Sequence, residues 1–187
     1  MTEKTARPGE FPVRKCTDAD LDAIMALQET VYNALENKEL FVTSSREENA
    51  VNLVEPNFIL GCFNGEQLIA YCSLAVPGEN NDNLGWDLGW QPEKVRSCAR
   101  LDTVAVHPDY RGGIQQRLMH RALAFAAENR CIQCILTTVS PQNKYSLHNV
   151  QAMGFEILMK KLKYGGKERF ILGRPPVLPN NIETGER

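Results

Sequence analysis

The sequence contains no run approaching the roughly 18 consecutive apolar residues that a membrane-spanning helix needs, and no excess of positive charge. The first lack excludes a spanning helix. The second excludes the basic footprint of a non-specific nucleic-acid binder, because 21 Lys and Arg face 23 Asp and Glu for a formal net charge of −2. Internal repeats are absent. The opening MTEKTARPGE has no apolar signal region, so a cytoplasmic location is expected. Metal-ligand spacings are missing too. Cys131-x-x-Cys134 has no second pair, and His107, His120 and His148 do not stand at finger spacings, so no metal is expected. The six cysteines are read as reduced thiols, with Cys16, Cys62, Cys72 and Cys134 set among apolar neighbours as small hydrophobes.

What is present is ordinary for a soluble domain. With 187 residues, 43% hydrophobic and 24% charged, the chain has the length and composition for one core. A single domain is expected over residues 10–174. Residues 1–9 and 175–187, the latter with three prolines and no pattern, are expected to be flexible termini.

The hydrophobic period places the elements. Residues 11–16 read as a strand, and Thr17-Asp18-Ala19-Asp20 is a capping box for a helix carrying Leu21, Ile24, Met25, Val31 and Leu35. Ser44-Ser45-Arg46-Glu47-Glu48 announces a second helix ending near residue 54. Two apolar runs, 58–63 and 67–74, joined by Asn64-Gly65, predict a hairpin. A loop is expected over residues 77–96, long enough to be functional or disordered, and it holds Trp86 and Trp90. Residues 131–139 predict a strand parallel to 101–106 because a helix connects them. A helix over 143–153 ends at Gly154, and residues 155–172 close with a hairpin through Gly165-Gly166.

The stretch with the most chemistry is 101–119, LDTVAVHPDYRGGIQQRLM. A β-branched strand stops at Pro108, Arg111 brings a fixed charge, and Gly112-Gly113 bare the backbone where a helix starts at Ile114. Such a helix start aims unpaired N–H groups and a positive dipole end at one spot, which suits an anion such as a pyrophosphate. A plain strand-to-helix turn is the competing reading of the glycine pair alone.

His107-Pro108-Asp109-Tyr110-Arg111-Gly112-Gly113-Ile114 resembles the acetyl-coenzyme A signature of the GCN5-related N-acetyltransferases, Arg/Gln-x-x-Gly-x-Gly/Ala between strand and helix. It differs in one respect. Held in register on Gly113-Ile114 and Leu118-Met119, it lacks one residue between Gly112 and Gly113, and Gln115 stands where a last glycine or alanine is common. A second motif of the family, Asn, then Ala or Ser three on, then Gly-Phe at the helix end, is supplied by Asn143, Ser146 and Gly154-Phe155.

The resemblance implies an α/β (α+β) acyl-CoA N-acyltransferase fold: a mixed, mostly antiparallel sheet of about seven strands with a splayed central parallel pair, flanked by about four helices. It also implies acetyl-CoA as co-substrate. Coenzyme contacts are expected from Val104, Ala105 and Val106 in the parting strand and from Arg111, Gly112, Gly113, Ile114, Gln115, Gln116 and Arg117 around the phosphate corner. Asn143, Ser146 and Asn149 complete them on the second helix. Arg117 and Arg121 stand one turn apart and face either the outer phosphates or solvent. Asn143 and Ser146 either meet the coenzyme arm or cap their own helix.

The implied reaction is direct attack by a neutral amine on the acetyl thioester, with a backbone N–H of residues 104–106 meeting the oxyanion. An alkyl ammonium must first lose a proton, and Asp102 is the expected base unless it only pairs with Arg100. The tyrosine that often protonates the thiolate is Val150 here, and Tyr145 lies about 140° around the helix from it. Ser146 shares the face of Val150 and is the expected donor. The acceptor side is expected to include the 77–96 loop, whose Glu79, Asp82, Asp87, Glu93, Trp86 and Trp90 suit a cationic amine. The alternative is a coenzyme-binding regulatory module that does not turn over. Partners are thus acetyl-CoA and an amine acceptor, without nucleic acid or membrane, in a monomer or homodimer.

Overall fold

A computed structural model describes residues 11–110 and 112–176. The expectations for residues 1–9 and 177–187, and for Arg111, fall outside that set. The chain opens with β1 (Val13–Lys15). The Asp20 carboxylate then takes the Thr17 N–H at 2.8 Å, and this box starts α1 (Leu21–Ala34), which buries Ile24 and Leu27. Helix α2 (Arg46–Asn52) begins the same way. The Ser45 hydroxyl accepts the Glu48 N–H at 3.1 Å, and Glu48 accepts the Ser45 N–H at 2.6 Å.

Strands β2 (Phe58–Asn64) and β3 (Gln67–Ala75) form the expected hairpin with its turn one residue later. Asn64 pairs with Gln67, so Gly65, at φ 59°, and Glu66 make the turn. Asn64 stays in the strand, where its side-chain amide donates to the Tyr110 hydroxyl at 3.0 Å. The segment expected as one loop, 77–96, instead carries α3 (Leu84–Asp87) and α4 (Pro92–Arg96). The buried Asn83 ties them together. Its amide donates to the carbonyls of Gly78 and Val95 at 2.6 and 2.9 Å, and its oxygen caps the Gly85 N–H.

Strand β4 (Cys98–Val106) is longer than expected and leads to α5 (Ile114–Glu128). β5 (Cys134–Val139) begins three residues later than expected, because Asn129 curls the preceding chain: its side chain accepts the Cys131 N–H and its carbonyl the Ile132 N–H. Helix α6 (Lys144–Ala152) closes on Gly154 at φ 83°, and the hairpin of β6 (Glu156–Lys163) and β7 (Lys167–Arg174) follows.

The strands form one sheet in the order β1-β2-β3-β4-β5-β7-β6, antiparallel throughout except for β4 and β5. Side chains alternate faces along each strand. Leu60, Cys72, Leu101 and Ile135 therefore pack with Leu118, Ala122 and Val150 under α5 and α6. Ile59 and Tyr71 pack on the opposite face with Ile24 and Leu27 of α1, and Leu84, Cys98, Leu136 and Ile171 form a smaller cluster under α3. Among the described residues no helix is long and apolar enough to cross a membrane.

Candidate functional site

The site exists because the central parallel pair is short. β4 and β5 pair only at Cys98–Cys134, Ala99–Ile135 and Arg100–Leu136, and then diverge. On its other edge β4 stays paired with β3 as far as Val106. There it places two residues, Asp102 and Thr103, between Leu101 and Val104 where β3 places one, Ser73, between Leu74 and Cys72, so a bulge falls at Asp102–Thr103. Beyond Arg100 the β5-facing backbone groups of β4 have lost their strand partner and need others. The Thr137 hydroxyl meets the first of them, donating to the Leu101 carbonyl at 2.8 Å.

A cavity of about 660 Å³ fills the gap. Gln115, Asn143, Ser146 and Val150 line it from the α5–α6 side, and Arg100, Asp102, Asn52 and Arg169 from the opposite face of the sheet. It therefore passes through the sheet where the two strands part. Val104 and Val106 form part of its wall, while Ala105 points to the α1 face and is buried.

At the α5 corner Gly112 and Gly113 adopt φ 102° and 91°, in the region where glycine carries no penalty. Gly113 is the N-cap, no side chain among the described residues caps the helix, and its first turn holds no acid. The leading N–H groups from Ile114 to Gln116 are therefore open to an anion. The corner is fixed from outside. The Tyr110 ring packs edge-on against Phe11 with centroids 5.7 Å apart, and its hydroxyl accepts from Asn64. Arg117 donates to the Phe11 carbonyl at 2.6 Å, while Arg121 is exposed on the same helix.

The α5 start and α6 are locked together by three expected residues. Asn149 donates to the Gln115 side chain at 2.7 Å and accepts from Gln116 at 3.2 Å. Asn143 caps α6 by accepting the Ser146 N–H at 3.0 Å, so its capping role is realised, and Ser146 lines the cavity. Val150 is 4% exposed and belongs to the core as well as the cavity wall, whereas Tyr145 is 84% exposed at the rim.

Asp102 sits in the bulge and lines the cavity. One carboxylate oxygen stands 3.0 Å from Arg100 Nε as an ion pair without hydrogen-bond alignment, and the other accepts from Asn52 at 3.4 Å. Arg100 is shared: it also binds the Asp82 carboxylate at 2.7 Å. Burial opposes the charge on Arg100, but Asp102 and Asp82 outweigh it and hold its pKa above the ordinary arginine value. The pairing of Asp102 with Arg100 is thus present in the structure, and it leaves Asp102 on the cavity wall.

Most of the acids expected to receive a cation from the 77–96 loop are engaged elsewhere. Glu79 and Glu93 pair with Arg96, Asp87 pairs with Lys161 and Lys163, and Lys94 covers the Trp90 ring at 3.5 Å. Asp82 alone of the four acids lines the cavity. Two residues there were invisible to sequence reasoning. Tyr164, at φ 51°, shares a hydrogen bond of 3.1 Å with the Thr138 hydroxyl, and Arg169 reaches in from β7. The one available signal was Tyr164 directly before Gly165-Gly166, an aromatic at the tip of the closing hairpin.

The model of the acetyltransferase (GNAT) family matches residues 21–155. No curated protein matches the sequence. Among solved structures, yncA from Salmonella typhimurium, solved with its cofactor acetyl-CoA, aligns with TM-score 0.66 and 16% identity over 94% of this chain and 99% of that one. The ribosomal-protein-S18-alanine N-acetyltransferase from Escherichia coli aligns with TM-score 0.66 and 18% identity over 92% and 98%. The ribosomal-protein-alanine N-acetyltransferase from Brucella melitensis gives 0.65 and 20% over 88% and 99%.

Proposed function

The chain belongs to the acetyltransferase (GNAT) family, and on that premise we propose that it moves the acetyl group of acetyl-CoA directly to a primary amine. The observation that supports this reading is the cavity running through the sheet from Gln115 and Ser146 to Asp102, beside the uncapped start of α5. Acetyl-CoA supplies an electrophilic acetyl thioester. The N–H groups after Gly113 hold the diphosphate, and the freed backbone of Val104 to Val106 receives the amide-rich arm and the oxyanion. Asp102 takes the ammonium proton, directly or through a water, with Arg100 and Asn52 fixing its orientation. Ser146 donates a hydrogen bond to the departing thiolate, whose ordinary pKa near 8.5 makes it a fair leaving group without a phenol at Val150.

The test is CoA release against a panel of amines, beside direct titration with acetyl-CoA. Release on some amine supports transfer. Tight binding with no release on any amine would leave a coenzyme-binding module, the reading that the buried Val150 favours. No binding at all would remove both.

A further inference from the structure

Arg169 is 3% exposed, yet its side chain forms part of the cavity wall. Its donors reach two main-chain carbonyls, Glu168 at 2.8 Å and Glu39 at 2.7 Å, and no carboxylate of the described residues lies within ion-pair distance. The carboxylates of the two residues whose carbonyls it binds are engaged: Glu39 stands 3.7 Å from Lys167, and Glu168 pairs with Lys160 at 2.7 Å. The other guanidinium of the cavity, Arg100, has both Asp82 and Asp102. A buried cation without an anion is costly, and carbonyl dipoles offset only part of that cost. Burial accordingly pulls the Arg169 pKa below the ordinary arginine value, with Tyr164 and Glu39 opposing it only in part.

The position matters as much as the charge. Arg169 lies on the same face of the sheet as Arg100, Asp102 and Asn52, opposite Ser146 and the α5 corner. Tyr164 stands beside it, with Arg169 5.9 Å from the ring centroid, and its phenol is anchored on Thr138 at the end of β5. The acceptor end of the cavity thus offers carboxylates at Asp102, Asp82, Glu47 and Glu48 and, at Arg169, a guanidinium with no ion-pair partner among the described residues. A volume of about 660 Å³, shared with the coenzyme arm, is of a size that suits a small molecule.

We propose that the acceptor is an amino acid, whose carboxylate is held by Arg169 while its amine faces Asp102. This rests on the acetyl-transfer reading above and adds the substrate class. A carboxylate there would complete the missing ion pair by a charge-assisted bond, which an amine without the acid cannot do.

The experiment compares matched acceptors in the native enzyme: each L-α-amino acid, β-alanine and γ-aminobutyrate against the amine lacking the carboxylate, for example L-leucine against isoamylamine. The expected result is that kcat/KM for the amino acid exceeds that for its matched amine by at least about tenfold. In Arg169→Gln that ratio falls towards one through KM for the amino acid, with KM for acetyl-CoA unchanged. Arg169→Lys retains part of the ratio. A purely structural Arg169, pinning the Glu39 segment, would lower both members of a pair equally, and that result overturns the proposal. Should neither variant fold, the native ratio decides alone, and equal use of acid and amine overturns it. Release on amines without preference for the acid sinks this inference and leaves acetyl transfer standing. No release from any member of the panel sinks both.

Discussion

Replacing Gly113 separates the strain of the α5 corner from its charge. At φ 91° a side chain is disfavoured, but an added Cβ meets nothing within 4 Å, so no clash accompanies the strain. Gly113→Ala should therefore lower stability by about 1–2 kcal/mol, the cost of an L-residue in the left-handed region. Gly113→Asp suffers the same strain but caps the open N–H groups of the first turn, which returns about 1 kcal/mol. For binding the order reverses. Two unit charges about 5 Å apart at an effective dielectric of about 40–80 repel by about 1–2 kcal/mol. A diphosphate carries two such charges, so about 2–3 kcal/mol, or roughly 30- to 150-fold in Kd, is lost for Asp and little for Ala. Urea denaturation should rank native above Asp above Ala, whereas calorimetric titration with acetyl-CoA should rank native and Ala together, far above Asp. Equal acetyl-CoA affinity for the Ala and Asp variants would refute the assignment of this helix start to the phosphates.

Three other substitutions probe the remaining parts. Asp102→Asn should lower kcat at least about tenfold and leave the acetyl-CoA Kd unchanged; an unaltered pH–rate profile would remove Asp102 as the base. Asn149→Ala removes both bonds that tie α6 to the α5 start, so it should cost about 1–2 kcal/mol in denaturation and weaken coenzyme binding. Binding unchanged at reduced stability would limit Asn149 to a structural role. Asp20 tests the pH dependence of the fold. The hydrogen-bonded Arg14 guanidinium pulls its pKa down to about 2, below its unfolded value, so its contribution is present above about pH 4 and is lost as pH falls towards 2. The stability gap between native protein and Asp20→Asn should be about 1 kcal/mol at neutral pH after solvent screening and should close in that acidic window. A gap that stays constant across the window would show the pair to be inert.

The parts of the molecule that are legible in sequence are those fixed by neighbours along the chain. The boxes at Thr17 and Ser45, the glycine corner at 112–113 and the cap at Asn143 each express a local backbone requirement, and all four stand where expected. Local rules also misled. Asn64-Gly65 scored as a turn pair, yet the tertiary bond from Asn64 to Tyr110 and the strand register placed Asn64 in β2. Asp87 in the 77–96 segment reads as available because its partners, Lys161 and Lys163 on β6, lie more than seventy residues away in the chain. Arg169 was invisible for the opposite reason. Nothing local marks an arginine with no ion-pair partner among the described residues, since that fact emerges only when β7 is inserted beside β5 and the acids at Glu39 and Glu168 are seen to be paired.

That insertion of β7 has a consequence for how the protein is made. Because β7 lies between β5 and β6, a nascent chain emerging from the ribosome displays both of those strands with open edges until residues 167–174 have appeared. The last of the described strands is the one that seals the sheet's interior, so a chain stopped just before Lys167 would keep six of the seven strands yet be exposed to aggregation and proteolysis.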